Sequence, residues 1–220
     1  MSKTILITGA NRGIGLEMAR QLQARGDTVL AACRHSSGEL DRLGCKVITG
    51  IDVASDSSVS RLAGQLEDTD LDAIVNNAGI LEPDALGSID FDSMRRQYEV
   101  NALGPLRVTQ ALLPRLRDGG KIAIITSRVG SMADNSSGHY YGYRASKAAV
   151  NMIGVNLALE LRERGITVLL LHPGMVATEM TGRTGIEPSE SAQNLLRQID
   201  ALGIEQTGGF RHANGEVLPW

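Results

Sequence analysis

Short apolar runs, each bounded by glycine or polar residues, recur along the chain, and segments with apolar positions three or four apart fill the intervals. Lys3 to Thr8 reads as a buried strand, Ile14, Met18 and Leu22 mark the apolar face of a helix that Gly26 ends, and Thr28 to Cys33 supplies a second strand. A strand, helix, strand unit of this length suits a right-handed crossover between parallel strands. The alternation continues with Lys46 to Ile51 as strand, Ser55 to about Thr69 as helix, Leu71 to Asn76 as strand, and Asp92 to Asp118 as helix broken near Gly104-Pro105. Lys121 to Thr126 is a further strand, Tyr143 to Arg164 a long helix and Ile166 to His172 the sixth strand. A late helix over Gly185 to Leu202 carries Pro188 at its first position and Glu190 in its first turn. The tail from Gly208 to Trp220 adds a short strand and then packs on the surface. Six parallel strands alternating with helices predict an α/β fold, a doubly wound parallel sheet of the Rossmann type in three αβα layers.

The 220 residues suit one domain over 1–220, and 42% hydrophobic with 21% charged residues is ordinary for a soluble globular protein. A net charge of −3 and a pI near 5.8 argue against nucleic acid or an anionic membrane as partner. No apolar run approaches the ~20 residues that span a bilayer. Cys33 and Cys45 have neither metal-ligand spacing nor a disulfide-rich context, and the N-terminus lacks a signal pattern, so the expectation is a cytoplasmic protein with two core or near-core thiols and no metal site.

The candidate chemistry begins where the first strand breaks into glycines. Gly9, Gly13 and Gly15 tolerate positive φ and present no side chain, so backbone amides there can approach a phosphate at a helix N-terminus. In a doubly wound sheet ligands sit beyond the carboxyl ends of the strands, which directs attention to Arg34, Asp52, Asn76 to Gly79, Ser127 and Pro173-Gly174. After the second strand an acid would bind an adenosine ribose hydroxyl, whereas an arginine would accept a 2′-phosphate. The chain has Cys33-Arg34 and no acid there, and Arg12 can close on the same phosphate; two solvated surface arginines are the competing reading. Tyr143 and Lys147 lie four apart on one helix face, where a cation would favour the phenolate and lower the tyrosine pKa. Tyr140 and Tyr141 have no lysine four residues on.

These motifs together resemble those of the short-chain dehydrogenase/reductase family over nearly the whole length. Its T-G-x-x-x-G-x-G stands as Thr8-Gly9-Ala10-Asn11-Arg12-Gly13-Ile14-Gly15, its N-N-A-G as Asn76-Asn77-Ala78-Gly79, and its Y-x-x-x-K as Tyr143 to Lys147. Asp52-Val53 resembles the pair that contacts adenine, Asn101 falls at the family's helix-breaking asparagine, and Pro173-Gly174 matches the segment along the nicotinamide, with Val176 and Thr178 beside its carboxamide. The family serine lies closer to the tyrosine than Ser127 does; Ser127 is preferred to Ser131 because Thr126-Ser127 ends the strand as the family's serine pair does, with Asn135 to Gly138 as a small insertion. Ile124 replaces the usual strand asparagine. Ser127 to Ser131, Tyr140 to Arg144 and the Gly215 to Trp220 ending are similar to the carbonyl-reductase-like branch that includes the C-factor and sniffer proteins.

The resemblance implies NADP(H)-dependent hydride transfer on a small-molecule carbonyl or alcohol. Tyr143 would be the general acid, Ser127 the partner of the same substrate oxygen, Lys147 the holder of the ribose, and Asn101 part of a proton path through a backbone carbonyl and water. It also implies a homodimer or higher homo-oligomer, paired through helices whose Leu106, Val108, Leu112 and Leu113, and Val150, Ile153, Leu157 and Leu161, equally suit a core. The short, glycine-bearing stretch from Thr178 to Pro188 suggests an open substrate site. A nucleotide-sensing or signalling protein and a methyl-donor-binding domain are the alternatives; only the enzyme requires the Tyr143/Lys147 pair.

Overall fold

In the computed structural model, which describes residues 2–220, seven parallel strands form one sheet in the order β3-β2-β1-β4-β5-β6-β7. The strands are β1 (Thr4–Thr8), β2 (Thr28–Ala32), β3 (Lys46–Ile48), β4 (Leu71–Asn76), β5 (Leu116–Ile125), β6 (Thr167–His172) and β7 (Phe210–His212). Both faces are covered, so the strands read as continuous apolar runs rather than as an alternating pattern. Leu6, Ile74, Ile122 and Leu170 point to one face, where α3 (Asp56–Gln65), α5 (Gly104–Leu112) and α6 (Tyr141–Glu160) supply Leu62, Val108 and Val150. Their neighbours Ile7, Val75, Ala123 and Leu171 point to the other, against Met18 and Leu22 of α1 (Gly13–Arg25) and Leu195 and Ile199 of α7 (Pro188–Ala201). Ile124 lies fully buried in the first of these layers.

The sheet order reverses between β1, which leads on to β2 and β3, and β4, which leads on to β5, β6 and β7. A crevice opens at such a point beyond the strand ends, and this places the candidate site.

Several boundaries differ from the sequence expectation. The helix expected over Asp92 to Asp118 is α4 (Phe91–Tyr98), a π-helical turn over Glu99–Leu103, and α5, followed by a 3-10 turn over Leu113–Arg115. Pro105 has no N–H for the Asn101 carbonyl, and the Gly104 amide instead reaches Glu99, five residues back. Pro114 ends the helix early, and β5 starts at Leu116, with Gly119 at φ +76° where its pairing with β4 shifts register. Ser55 caps α3 through the Ser58 amide, the helix ends at Gln65 rather than near Thr69, and β3 stops at Ile48. The long helix expected over Tyr143 to Arg164 begins two residues earlier and gives way to a 3-10 turn over Arg162–Arg164. A short helix, α2 (Gly38–Asp41), capped by Ser37, has no counterpart in the sequence reading.

The tail is anchored rather than loose: Phe210 is fully buried and stacks on Trp220 with ring centroids 5.3 Å apart. Phe210→Ala should lower the unfolding free energy by about 3–5 kcal/mol, read as a shift of the denaturant midpoint at unchanged slope.

Candidate active site

At the crevice the turn after β1 and the exit of β4 are tied together by one side chain. The Thr8 hydroxyl accepts the amides of Asn77 and Ala78, both at 3.1 Å, while Asn77 Nδ2 donates to the Thr8 and Gly9 carbonyls at 3.0 and 3.1 Å. No side chain larger than hydrogen fits there. A Cβ on Gly9, whose φ is +66°, would sit 2.9 Å from Ala78 Cα, and one on Gly15 would overlap the Gly9 carbonyl and come within 2.5 Å of Asn77 Nδ2. The N-terminus of α1 is left open: Arg12 offers no side-chain cap and no acid occupies the first turn. Its first amides have no carbonyl inside the helix, so Gly13, Ile14 and Gly15 present donors and a positive dipole end to an anion. This arrangement fits a dinucleotide pyrophosphate.

The two arginines are not in equivalent situations. Arg34 follows β2 with its side chain exposed, whereas Arg12 forms an ion pair with Glu179, just beyond Thr178. Asn11 is fixed by its carbonyl, which accepts the Ser37 hydroxyl at 2.8 Å. Asp52 Oδ1 accepts the Ala54 amide at 3.0 Å, and Val53 is buried so tightly against Gly104 that a Cβ there would come within 2.9 Å of Val53 Cγ2. Both residues form a fixed wall between β3 and α5.

Beyond β4 and β5 lie the groups suited to proton transfer. Asn101, fully buried in the π turn, donates to the Ile80 carbonyl at 2.8 Å and to Ser146 Oγ at 3.0 Å, and accepts the Ile80 amide at 2.9 Å. Next to it, Lys147 is 4% exposed, and its Nζ donates to the Ile125 carbonyl at 2.9 Å and lies 5.6 Å from the centroid of the Tyr143 ring. Burial lowers its pKa to about 8. Tyr143 is pushed up to about 12 by burial, against the opposing effect of a hydrogen bond with Ser127. The shift runs opposite to the expectation of a tyrosine lowered by its lysine: desolvation dominates, and the Lys147 ammonium is aimed at the Ile125 carbonyl. Ser127 also caps the 3-10 turn over Arg128–Gly130 through the Val129 amide, whereas Ser131 Oγ is occupied by the Asp134 amide.

The fourth side of the crevice is the exit of β6. The Pro173 carbonyl accepts the buried Ser191 hydroxyl at 2.9 Å, and Gly174, at φ +89°, turns the chain past His212. Val176 is buried and bridges to Ile186, so the Thr178 to Pro188 stretch folds back on itself around a 3-10 turn over Glu179–Thr181. It is short and ordered. His172, edge-on to His212 at 4.9 Å, is lowered to about 3 by burial and then by His212, Arg128 and Lys147, which keeps it neutral. A separate cavity of about 280 Å³ opens at the opposite, amino-terminal end of the central strands, where Lys121 caps α7 through the Ile199, Asp200 and Leu202 carbonyls and Asp200 pairs with Lys3 and Arg25. Its charges serve one another.

Sequence reasoning missed Thr8 as the fastener of the crevice, Glu179 as the partner of Arg12, and the histidine pair. The Thr8 position was visible only as a motif letter. Glu179 and the histidines sit in loops and strand ends whose contacts no periodicity reports.

A family profile for short chain dehydrogenases matches residues 3–188. The chain is 46% identical over 224 residues to 1-hydroxy-2-glutathionyl-2-methyl-3-butene dehydrogenase of Rhodococcus sp. (strain AD45), covering 99% of each. It is 45% identical over 154 residues to the C-signal protein of Myxococcus xanthus, covering 68% of this chain and 93% of that one. Its fold superposes on NADPH-bound carbonyl reductase from chicken fatty liver with a TM-score of 0.92 at 29% identity, over 100% of this chain and 99% of that one.

A buried lysine with a depressed pKa has a stability signature. Because the unfolded chain holds the Lys147 proton up to about pH 10.5 and the folded chain only to about 8, stability rises with pH across that window. Denaturation should show wild type gaining about 2 kcal/mol on Lys147→Met between about pH 7 and 9.5; a gap that stays constant would contradict the assigned shift.

Proposed function

The chain belongs to the short-chain dehydrogenase family, and on that premise we propose that it is an NADPH-dependent oxidoreductase that reduces a carbonyl or oxidises the corresponding alcohol. The observation that carries this reading is the meeting of Ser127, Tyr143 and Lys147, from the end of β5 and from α6, beside Gly79 at the exit of β4. NADP(H), when bound, supplies or receives the hydride. The open N-terminus of α1 at Gly13, Ile14 and Gly15 would hold the pyrophosphate, with Gly9, Asn11, Asn77, Ala78 and Gly79 as the surrounding wall. Arg34 and Arg12 would bind the 2′-phosphate, Asp52 and Val53 the adenine, and Pro173, Gly174, Val176 and Thr178 the nicotinamide end.

The protein's own part is proton transfer. A Tyr143 phenol with its pKa near 12 holds its proton at neutral pH and donates it to an oxygen that gains charge, while Ser127 hydrogen-bonds both that phenol and the same oxygen. Lys147, cationic below about pH 8, holds the ribose hydroxyls and stabilises the phenolate that forms. Asn101, whose carbonyl faces the missing N–H of Pro105, extends the path toward solvent through water. We place the protein in the cytoplasm as one domain over 1–220 acting as a homodimer; among the described residues no helix is long and apolar enough to cross a membrane.

The substrate class follows the same logic. The Rhodococcus relative is named for an alcohol that carries a glutathionyl group, so a glutathione-conjugated alcohol belongs beside simple aldehydes and ketones in the assay panel. The signalling alternative rests on the name of the Myxococcus xanthus relative.

Tyr143→Phe should lower kcat by about 10²–10⁴-fold while NADPH still quenches protein fluorescence at unchanged Kd. Retained turnover would overturn the assignment of the acid, and absence of turnover by wild type across the panel would favour the signalling reading. Arg34→Ala and Arg12→Ala should each raise KM for NADPH about tenfold or more with KM for NADH unchanged; equal efficiency of wild type with the two cofactors would refute the 2′-phosphate reading.

A further inference from the structure

The helix that carries Tyr143 does not cap itself. Its N-cap residue, Tyr140, lies in the left-handed region at φ +52° and offers no side-chain bond, and His139 before it is also left-handed at φ +58°. Two consecutive non-glycine residues in that region persist only where the surroundings hold them. The missing cap comes from a distant loop: the Asp84 carboxylate accepts the Tyr141 amide through Oδ1 and the Gly142 amide through Oδ2 at 2.9 Å, and the Asp84 carbonyl accepts the Tyr140 amide at 3.0 Å. Three successive amides leading into the helix thus end on one residue, and its charge complements the dipole in the turn that carries Tyr143.

Asp84 is itself held at the end of a ladder of side-chain amides. Residues 80, 82 and 84 alternate along the chain that leaves Gly79. Asn101 clasps Ile80 by its N–H and C=O; Gln97, fully buried, clasps Glu82 in the same manner, accepting its amide and donating to its carbonyl, both at 3.1 Å. Asn101 and Gln97 therefore stand in for a neighbouring strand, each satisfying both backbone groups of one residue. Gln97 also donates to Ser93 Oγ at 3.2 Å, and Arg96 pairs with the Glu82 carboxylate at 2.7 Å. A close approach completes the arrangement: a Cβ on Gly142 would lie 2.8 Å from Gln97 Nε2 and 3.0 Å from Met94 Cγ, so the first turn of α6 rests directly on α4. On the other side Arg144 secures the strained entry, donating to the Gly138, His139 and Val129 carbonyls and to Ser137 Oγ.

We propose that Asp84 is a positioning residue for Tyr143, capping from outside the helix that carries the acid, in a segment that Gln97 holds two residues upstream at Glu82. The site gains a rigid path from the Asn77 to Gly79 wall to the phenol, so that Tyr143 keeps a fixed distance from whatever lies against that wall. Loss of the cap frees the 138–140 entry to relax out of its left-handed conformation and lets the first turn of α6 fray, with Tyr143 the residue immediately after the last capped amide.

The inference rests on Tyr143 being the general acid. Asp84→Ala, Asp84→Asn and Gln97→Ala would be purified and compared with wild type for kcat, KM, Kd of NADPH by fluorescence, circular dichroism and the solvent deuterium isotope effect on kcat. Asp84→Ala should lower kcat about 10- to 100-fold, as expected for a misplaced catalytic group, with KM and Kd for NADPH within about twofold of wild type. Its solvent isotope effect should rise, because proton transfer becomes the slow step. Asp84→Asn keeps an acceptor for one of the two amides and should recover part of the loss, and Gln97→Ala should lie on the same trend. A kcat for Asp84→Ala within about twofold of wild type overturns the proposal, as does a loss matched by equal weakening of NADPH binding or by an unchanged isotope effect. Should Asp84→Ala fail to fold, Asp84→Asn decides alone: reduced kcat with a raised isotope effect supports the role, and wild-type values sink it. Turnover retained by Tyr143→Phe would instead undo the reading of the acid, whatever Asp84 does.

Discussion

The site depends on one contact, the Thr8 hydroxyl bound by the amides of Asn77 and Ala78. It joins the ends of β1 and β4 where the sheet changes direction, and so brings two loops about seventy residues apart in the chain into van der Waals contact. A hydroxyl is suited to the task because it accepts from two donors: a methyl would leave the Ala78 amide unpaired, at a cost of about 1–3 kcal/mol, and the Asn77 amide with only the Val75 carbonyl. Gly9 and Gly15 are the steric counterpart of this bond. With a side chain at either position the β4 exit could not close on the turn, and the amides of α1 would no longer face the same crevice as Tyr143.

From that junction two rigid paths run outward. One passes through the glycine turn into α1, whose uncapped end is the proposed pyrophosphate site. The other passes through Gly79 and the Ile80, Glu82 and Asp84 ladder to the first turn of α6. The proposed cofactor wall and the proposed proton donor are thus referred to the same origin, which is the condition for reacting atoms to be held within a fraction of an ångström. Burial then sets the protonation states: the phenol stays protonated and the lysine remains cationic with a pKa near 8, without a close ion pair between them. The charge of a bound nucleotide and the arrival of substrate act on this prepared pair.

Much of the frame was legible in the sequence because it is written in local signals. Gly26 ends α1 in a left-handed conformation with its amide on Leu22 and Gln23, as its position after the apolar face predicts, and Pro188 begins α7. The parallel strands read as continuous apolar runs because both faces are covered. What escaped were effects that need two distant segments at once. Capping rules inspect the residue before a helix, here Tyr140, and find nothing, whereas the cap is Asp84. The π turn is marked in sequence by Pro105, yet its extent depends on Asn101 and Gly104 packing against Ile80 and Val53. The direction of the Tyr143 shift is set by burial, which spacing along a helix does not reveal.

The most direct test of the account follows a labelled hydride. Wild-type protein would be given NADPH carrying deuterium at the reactive C4 position together with the panel of aldehydes and ketones, and the products examined by mass spectrometry. The account predicts one deuterium on the new carbinol carbon, delivered from a single face of the nicotinamide. Binding of NADPH with no label transferred to any carbonyl, or with label lost to solvent, would contradict it.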